Sequence, residues 1–232
     1  MESLADQFHV VAADSYGAGK SPAWPRDRTI SLCDEAPLLE PVFVRAGSPF
    51  LLVGHSYGAA VALIAAVSRP DRVRALALYE PTLFALLDAE QPPPNEADGI
   101  RNAVDAAAAE LDASRPDGAA KCFIDFWMGT GAWDQTPEQR KGPIAASIAN
   151  VCGWGQALFT EPTTLQAFSE LRVPVLYMME KNSPASSRGV GRLLTRVLPN
   201  VEVIEFERLG HMGSVTHPDV VNEAIRRFLE RR

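Results

Sequence analysis

Short apolar runs alternate with longer stretches of helical periodicity along much of the chain, a pattern typical of strands that alternate with helices. The runs predict buried strands at residues 8–14, 50–53, 73–79, 173–179 and 201–206. Helices are predicted at 32–44, 59–67 and 189–197, and a last helix is predicted to open at 216–219. Pro37 and Pro41 should shorten or kink the first of these helices. Such alternation predicts an α/β fold with a mainly parallel sheet that carries helices on both faces.

The pattern changes between residues 82 and 170, where helical periodicity dominates and no period-2 alternation is found. We interpret 82–170 as a helical cap inserted into a core formed by 1–81 and 171–232. Three of the four tryptophans of the chain fall in this cap. They are expected to form its own core for the most part, and the alternative is that they line an apolar pocket. These tryptophans are Trp127, Trp133 and Trp154.

Composition and charge limit which binding partners and which cellular compartment are expected. The 232 residues are 47% hydrophobic and carry a net charge of −7, and the Lys/Arg pairs at 226–227 and 231–232 are expected to be solvated helix positions. Nucleic-acid binding is therefore not expected. No apolar run reaches the length of a membrane span, and the start of the chain lacks the pattern of a secretory signal. Three cysteines without a C-x-x-C motif fit a reducing compartment, so we expect a cytoplasmic protein with no membrane partner.

The stretch 50–67 carries the strongest chemical signal of the chain. An apolar strand leads into Gly54-His55-Ser56-Tyr57-Gly58, and a small, apolar helix follows. In this strand–turn–helix context, G-x-S-x-G lifts a nucleophilic serine above the sheet edge. Gly54 and Gly58 are expected to let strand and helix approach closely. Ser56 is thus the predicted nucleophile, and the backbone N–H of Tyr57 is the predicted donor to an oxyanion.

His211 is the predicted base for Ser56. It lies in the loop Gly210-His211-Met212-Gly213 after the last predicted strand. In a parallel sheet this loop emerges at the same carboxyl edge as Ser56. A neutral imidazole can take the serine proton and return it to a leaving group. His217 competes less well because it lies where a helix cap is expected, and His55 is expected to be packed inside the elbow.

No cofactor or metal is predicted. The four histidines show no metal-ligand spacing. The loop 17–21 reads G-x-G-K-S, but a phosphate-binding loop needs four residues between its first glycine and the Gly-Lys pair.

Together these motifs resemble the α/β-hydrolase superfamily over nearly the whole chain. Residues 14–21 resemble its D-x-x-G-x-G-x-S loop, residues 54–58 its nucleophile elbow, and residues 209–211 with 217–218 its histidine loop and final helix. The resemblance implies the chain order nucleophile, acid, histidine, and it implies a small-molecule substrate and no cofactor. It says little about which substrate is used.

The acid of the triad departs from the family pattern. Where the family usually places an aspartate, after the strand at 173–179, this chain has Asn182 and Ser183. Neither side chain can carry the charge that orients the histidine. The other position used in the superfamily is the end of the strand after the elbow, which is Glu80 here. We favour Glu80 as the acid, and the alternatives are Glu180 or a site without an acid.

The start of the chain is the second departure. The family has three strands before the one predicted at 8–14, and the loop after the third supplies a second oxyanion donor. This sequence begins too late to contain them, so the expected fold is N-terminally shortened. Either the sequence is a fragment, or it is a shortened protein with altered chemistry. An exposed strand edge would follow, through which the chain could form a homo-oligomer.

The predicted function is a serine hydrolase that cleaves a small, hydrophobic carboxylic ester through an acyl-enzyme. Ser56, His211, Glu80 and the Tyr57 N–H carry the chemistry. One alternative is a C–C bond hydrolase or a cofactor-free haloperoxidase-like enzyme with the same residues. The other is a catalytically impaired, hydrolase-like binding protein.

Overall fold

A central sheet of four parallel strands organises the molecule. The computed structural model describes residues 2–23, 28–29 and 31–232. Within them the strands lie in the order β1-β2-β3-β4, and every neighbouring pair is parallel. Each strand was predicted from its apolar run, with ends that differ by at most two residues. The strands are β1 (Phe50–His55), β2 (Val73–Tyr79), β3 (Val175–Glu180) and β4 (Val201–Phe206).

Helices fill the connections between these strands, as a parallel sheet requires. In the described chain, two short α-helices precede β1, one α-helix joins β1 to β2, and one joins β3 to β4. The described α-helices outside the β2–β3 connection are α1 (Leu32–Leu38), α2 (Glu40–Ala46), α3 (Tyr57–Ser68), α11 (Ala185–Val197), α12 (Gly213–Thr216) and α13 (Pro218–Leu229). Two 3₁₀ helices, Glu2–Leu4 and Pro70–Arg72, lie before α1 and after α3.

The connection from β2 to β3 spans most of residues 82–170, and each of its elements is a helix. The composition of this stretch, apolar at helical spacing with no period-2 alternation, accounts for the absence of strands from it. We refer to it as the helical segment. Its elements are α4 (Ala85–Glu90), α5 (Asp98–Asp112), α6 (Pro116–Met128), α7 (Ala132–Gln135), α8 (Glu138–Ile148), α9 (Val151–Thr160) and α10 (Leu165–Ser169).

Helices cover both faces of the sheet, as the alternation predicts. On β2, Leu76 and Leu78 join an apolar cluster with α3 and α11. The intervening Ala77 and Tyr79 join a second cluster with residues of α13. Because successive side chains of a strand point to opposite faces, this division places helices on the two sides of one sheet.

The prolines of the first predicted helix divide it, as expected. Pro37 lies inside α1, and α1 ends one residue later. Pro41 lies in the first turn of α2, where a missing N–H costs nothing. Ser31 caps α1 by accepting the N–H of Asp34 on its side chain.

The predicted strand at 8–14 is wrong. These residues form no helix or strand, and most of their side chains are exposed. Leu4 is buried and Phe8 is partly buried against the cluster that contains Phe228. The Asp6–Arg226 ion pair holds the same stretch against α13. A strand needs a hydrogen-bonded neighbour, and the start of the described chain packs on a helix instead.

The sheet therefore has β1 at one edge and β4 at the other. Val53 of β1 is 48% exposed and Val203 of β4 is 47% exposed. Edge strands carry backbone groups that other segments can pair with. Within the described chain, no helix is both long enough and apolar enough to cross a membrane.

Candidate active site

Ser56 sits at the sharp turn between β1 and α3. Its φ of 53° and ψ of −120° lie outside the regions that side chains favour. The Ser56 N–H donates to the Tyr79 carbonyl at 2.9 Å, which holds the turn against the end of β2. A Cβ on Gly54 would lie 2.6 Å from the Cα of Ala59, so only glycine fits where β1 meets α3. The strained serine is thus held by its neighbours on both sides.

Gly58 does not share this steric role. A Cβ at Gly58 would have no atom of the described chain within 4 Å, and the residue is exposed. The prediction that both glycines allow a close approach is therefore right for Gly54 and wrong for Gly58. The close contact lies on the side of α3 that faces the strand, and Gly58 lies on the other side.

Ser56, His211 and Glu80 form one hydrogen-bonded chain. His211 Nε2 lies 3.0 Å from Ser56 Oγ, and His211 Nδ1 lies 2.6 Å from Glu80 Oε2. His211 is 2% exposed and Glu80 is 1% exposed, whereas Ser56 is partly exposed. The structure thus brings together the three side chains that the sequence singled out.

The charge of Glu80 fixes the direction of these bonds. Burial raises the pKa of this carboxyl, but the hydrogen bond and charge of His211, with contributions from Ser183 and the Glu180 N–H, outweigh it and hold the pKa below its ordinary value. Glu80 is therefore ionised at neutral pH, and His211 Nδ1 donates to it. Nε2 is left as the acceptor for the Ser56 hydroxyl proton.

Glu180, the alternative acid, bonds Asn182 with its carboxylate, whereas His211 Nδ1 bonds Glu80. The Glu180 carboxylate accepts the backbone N–H of Asn182 at 3.0 Å and the side-chain amide of the same residue at 3.3 Å. Its own N–H donates to Glu80 Oε1 at 2.8 Å. Glu180 thus helps to hold Glu80 through its backbone, and its side chain orders the loop after β3.

The loop that carries His211 is held by the ends of two strands. The Tyr79 hydroxyl donates to the Gly210 carbonyl at 2.7 Å. His55 Nε2 lies 2.8 Å from the His211 carbonyl, which can only accept, so this nitrogen carries the proton. A Cβ at Gly213 would lie 2.2 Å from the Tyr79 hydroxyl, so this glycine makes room for the first bond. His55 is packed, as its place in the elbow predicted.

Burial, together with the nearby charge of His211, lowers the pKa of His55 to about 4. His55 is therefore neutral near pH 7. Its imidazole serves as a fixed donor to the loop, and it adds no positive charge beside His211.

Tyr57 contributes a backbone N–H at the start of α3 and a side-chain hydroxyl that bonds α1. As the first residue of α3, it has an N–H with no acceptor inside the helix, at the positive end of the helix dipole. Its hydroxyl donates to Glu35 of α1. Burial, with the charge and hydrogen bond of Glu35, raises the pKa of the Tyr57 hydroxyl well above its usual range, so Tyr57 remains a neutral donor.

Glu35 also accepts the Tyr16 N–H at 3.0 Å and is 2% exposed. The Tyr16 carbonyl accepts Trp154 Nε1 at 3.1 Å, and the Trp154 indole packs on the Tyr57 ring at 5.6 Å. These contacts join α1, the loop at 14–22, the helical segment and the elbow. Sequence reasoning missed Glu35, although a carboxylate between the buried Leu32 and Ala36 was a usable signal.

The loop at 14–22 closes on itself and on the helical segment. Asp14 accepts the Lys20 N–H, and the Asp14 carbonyl accepts the Ser21 hydroxyl. The side-chain amide of Asn150 donates to the Gly17 carbonyl at 2.6 Å. The loop therefore acts as a structural connection between the core and α8–α9.

Two of the three tryptophans of the helical segment reach the site. Trp127 stacks on the His211 ring, with centroids 3.8 Å apart and planes 22° apart. Trp154 packs on Tyr57, whereas Trp133 lies in a small cluster within the segment. The expectation that most of these tryptophans form the core of the segment itself is met by Trp133 and by Trp154, which also packs against a cluster of residues from α5, α6, α8 and α9. Trp127 is the exception. Nothing in the local sequence marks Trp127, because its partner is 84 residues away.

Among the residues that the structure describes, no three His, Cys, Asp or Glu side chains are grouped so as to hold a metal ion. The site consists of a serine, an imidazole and a carboxylate in line, with a helix N-terminus beside the serine. This arrangement can activate a hydroxyl for attack on an electrophilic carbon and can stabilise the oxyanion that results.

Comparisons with known proteins agree with this architecture. The alpha/beta hydrolase family model matches residues 1–224. Lipase LipV of Mycobacterium tuberculosis is 28% identical, over 95% of this chain and 83% of the lipase. The pimeloyl-[acyl-carrier protein] methyl ester esterase of Chromobacterium violaceum is 25% identical, over 99% of this chain and 87% of the esterase. Among solved structures, an alpha/beta hydrolase from Sphaerobacter thermophilus superposes with a TM-score of 0.68 at 25% identity, covering 95% of this chain and 84% of that one.

Proposed function

Since this chain belongs to the alpha/beta hydrolase family, we propose that it is a serine hydrolase that cleaves a small, hydrophobic carboxylic ester through an acyl-enzyme. The observation that carries the proposal is the hydrogen-bonded line from Ser56 Oγ through His211 to Glu80. An isolated serine is a weak nucleophile, and an imidazole at 3.0 Å whose far nitrogen is held by a buried carboxylate is the arrangement that activates it.

The reaction follows from the direction of these bonds. Ser56 Oγ attacks the ester carbonyl carbon as its proton passes to His211 Nε2, and the carbonyl electron pair moves onto the oxygen. Collapse of this intermediate breaks the bond to the alcohol, which takes the proton from Nε2. Water then repeats the sequence on the acyl-enzyme and releases the carboxylic acid and free Ser56. Glu80 stays ionised throughout and balances the charge of the imidazolium.

The Tyr57 N–H is the proposed donor to the oxyanion. Its place at the start of α3 gives it both a free hydrogen-bonding direction and the favourable end of the helix dipole. The bond from its hydroxyl to Glu35 and the packing of Trp154 fix the residue from the other side. A donor held in this way needs no reorganisation when the negative charge develops.

Two observations support an ester with an apolar part. The two relatives described above are named a lipase and a methyl ester esterase. The helical segment, which we propose is a cap over the core, brings Trp127 and Trp154 against His211 and Tyr57. Aromatic walls beside a nucleophile favour apolar acyl or alcohol groups.

Labelling with a fluorophosphonate, followed by intact mass, tests the nucleophile without knowledge of the substrate. We expect one adduct on the wild-type chain and none on Ser56→Ala. The Ser169→Ala variant is a matched control, because Ser169 lies on α10 and bonds the Gln166 carbonyl. It should label like the wild type. An adduct that persists in Ser56→Ala, or folded wild-type protein that takes no label, would refute the proposal.

A series of p-nitrophenyl esters of increasing acyl length tests the substrate class. We expect hydrolysis by the wild type that rises from acetate to a medium chain and is lost in Ser56→Ala. Turnover of a vinylogous diketone, with no turnover of any ester in the series, would instead assign the same residues to C–C bond cleavage.

A further inference from the structure

The indole of Trp127 covers one face of the His211 ring. The two ring centroids are 3.8 Å apart and the planes are tilted by only 22°. Trp127 is 7% exposed and His211 is 2% exposed, so little water reaches the contact. Phe126 packs edge-on against the indole at 4.8 Å, and Phe123 does so at 6.1 Å. The indole is therefore held in place by its own helix, α6.

The remaining neighbours of His211 can be divided by charge. Glu80 lies in the plane of the ring and is its anionic partner. His55 lies 5.0 Å away, centroid to centroid, and burial lowers its pKa to about 4, so it is neutral. Burial raises the pKa of Tyr79, whose hydroxyl is occupied by Gly210. The Glu180 carboxylate accepts the backbone N–H of Asn182.

On α6 itself, the carboxylate of Asp125 accepts the Trp133 N–H at 2.9 Å and thereby engages the neighbouring helix α7. A charged His211 is thus stabilised by Glu80 through the hydrogen bond at Nδ1, and one face of its ring is covered by the uncharged indole of Trp127. The face of an indole carries partial negative charge and attracts a cation placed over it.

We propose that Trp127 is a positioning residue that favours the imidazolium form of His211 through its π face, an inference that rests on the serine-hydrolase function proposed above. The imidazolium forms when the Ser56 proton moves to Nε2 as Oγ bonds to the carbonyl carbon. Neutral His211 gains less from the indole than charged His211 does, so the contact is stronger after proton transfer. Only such a differential contact lowers the barrier.

Substitutions of Trp127 separate this role from simple packing. Trp127→Phe keeps an aromatic face, whereas Trp127→Leu keeps apolar bulk without one. For ester hydrolysis we expect Trp127→Leu to lower the plateau value of kcat/KM by about tenfold, an order set by a cation–π contact in a desolvated site. The loss of kcat/KM should be smaller in Trp127→Phe, which keeps an aromatic face, although a phenyl ring attracts a cation less strongly than an indole does. Trp133→Phe, in the separate cluster with Ala120 and Ala145, should behave as wild type.

The pH dependence of kcat/KM distinguishes the two roles, because a residue that only packs against His211 would not shift the acid limb. Hydrolysis requires a neutral base, and Trp127→Leu destabilises the charged form of His211. The acid limb of kcat/KM should therefore move to lower pH in Trp127→Leu, and less in Trp127→Phe. Equal losses in the two variants with an unmoved acid limb would overturn the proposal and leave Trp127 as packing.

A fluorescence titration tests the contact without any turnover. A protonated imidazole quenches a stacked indole more strongly than a neutral one does. In a Ser56→Ala background, we expect emission to fall as His211 is protonated, and this step should vanish in Ser56→Ala/Trp127→Phe and in Ser56→Ala/His211→Gln. No such step in the Ser56→Ala protein would refute the stacking in solution. If the step is present but the wild type takes no fluorophosphonate, the proposed function fails while the contact stands.

Discussion

The backbone N–H of Glu180 donates to Glu80 Oε1 at 2.8 Å. The two buried acids are therefore bonded to each other, but they have different roles. Glu80 faces His211 with its other oxygen, and the Glu180 carboxylate faces Asn182. The bond joins the residue that follows β2 to the last residue of β3.

This geometry predicts opposite outcomes for two matched substitutions. Glu80→Gln removes the charge that orients His211 and balances the imidazolium, and we expect kcat to fall by roughly 10²- to 10⁴-fold. Glu180→Gln leaves the backbone donor in place and should hydrolyse esters at a rate near that of the wild type. Steady-state kinetics on both variants checks the prediction. Full activity in Glu80→Gln would contradict it.

The stability of the protein should depend on His55 in mildly acidic solution. Its pKa is lowered from 6.5 to about 4 in the folded state, chiefly by burial. Between these values the unfolded chain binds the proton and the folded one does not, so stability is lost as the pH falls from about 6.5 to about 4. His55→Gln keeps an N–H that can reach the His211 carbonyl but does not titrate.

Urea midpoints measured from pH 7.5 to pH 4 would check this. The wild type should lose stability over that range by a larger amount than His55→Gln does. Curves that run parallel throughout would show that His55 does not contribute to the pH dependence.

The two glycines of the elbow should respond differently to alanine. Gly54→Ala places a methyl group 2.6 Å from the Ala59 Cα and should lower the free energy of unfolding by about 1–3 kcal/mol, as overpacking does. Gly58→Ala meets open space on the described surface and gains helix propensity, so the free energy should stay equal or rise by up to about 1 kcal/mol. Thermal or urea unfolding measures both. Equal losses would contradict the geometry.

The backbone of Ser56 predicts a trade-off between stability and chemistry. A φ of 53° with a ψ of −120° strains a residue that carries a Cβ and does not strain glycine. Ser56→Gly should therefore be more stable than Ser56→Ala by about 1 kcal/mol, although both lack the nucleophile. Urea denaturation of the two inactive variants gives the difference directly. An alanine variant as stable as the glycine one would show that the turn is relaxed.

Much of the architecture could be predicted from local sequence patterns. The apolar runs at 73–79 and 201–206 match β2 and β4 in both their ends. G-x-S-x-G in its strand–helix context marked Ser56, and a glycine-flanked histidine after the last strand marked His211. These features are recoverable because the side-chain pattern and the turn chemistry act over a few residues.

The failures came where distant parts of the chain decide. Residues 8–14 have the composition of a strand, but Phe8 packs against α13 and no neighbouring strand pairs with the segment in the described structure. Trp127 and His211 lie 84 positions apart, and only the fold of the helical segment brings the two rings together. The sequence favoured Glu80, the carboxylate that the structure places on His211, but strand position alone left Glu180 open because it does not reveal which carboxylate points at the imidazole.

Among the described strands, β1 has a neighbour on one side only, so its outer side can accept a further strand. The strand ends at His55, one residue before Ser56, and the exposed Gly58 lies just beyond it. Any segment that adds alongside β1 by backbone hydrogen bonds would run beside the nucleophile and become a wall of the reaction chamber. We therefore expect that a homo-oligomer formed through this edge would place a second chain beside Ser56, so that its formation would change the rate of ester hydrolysis.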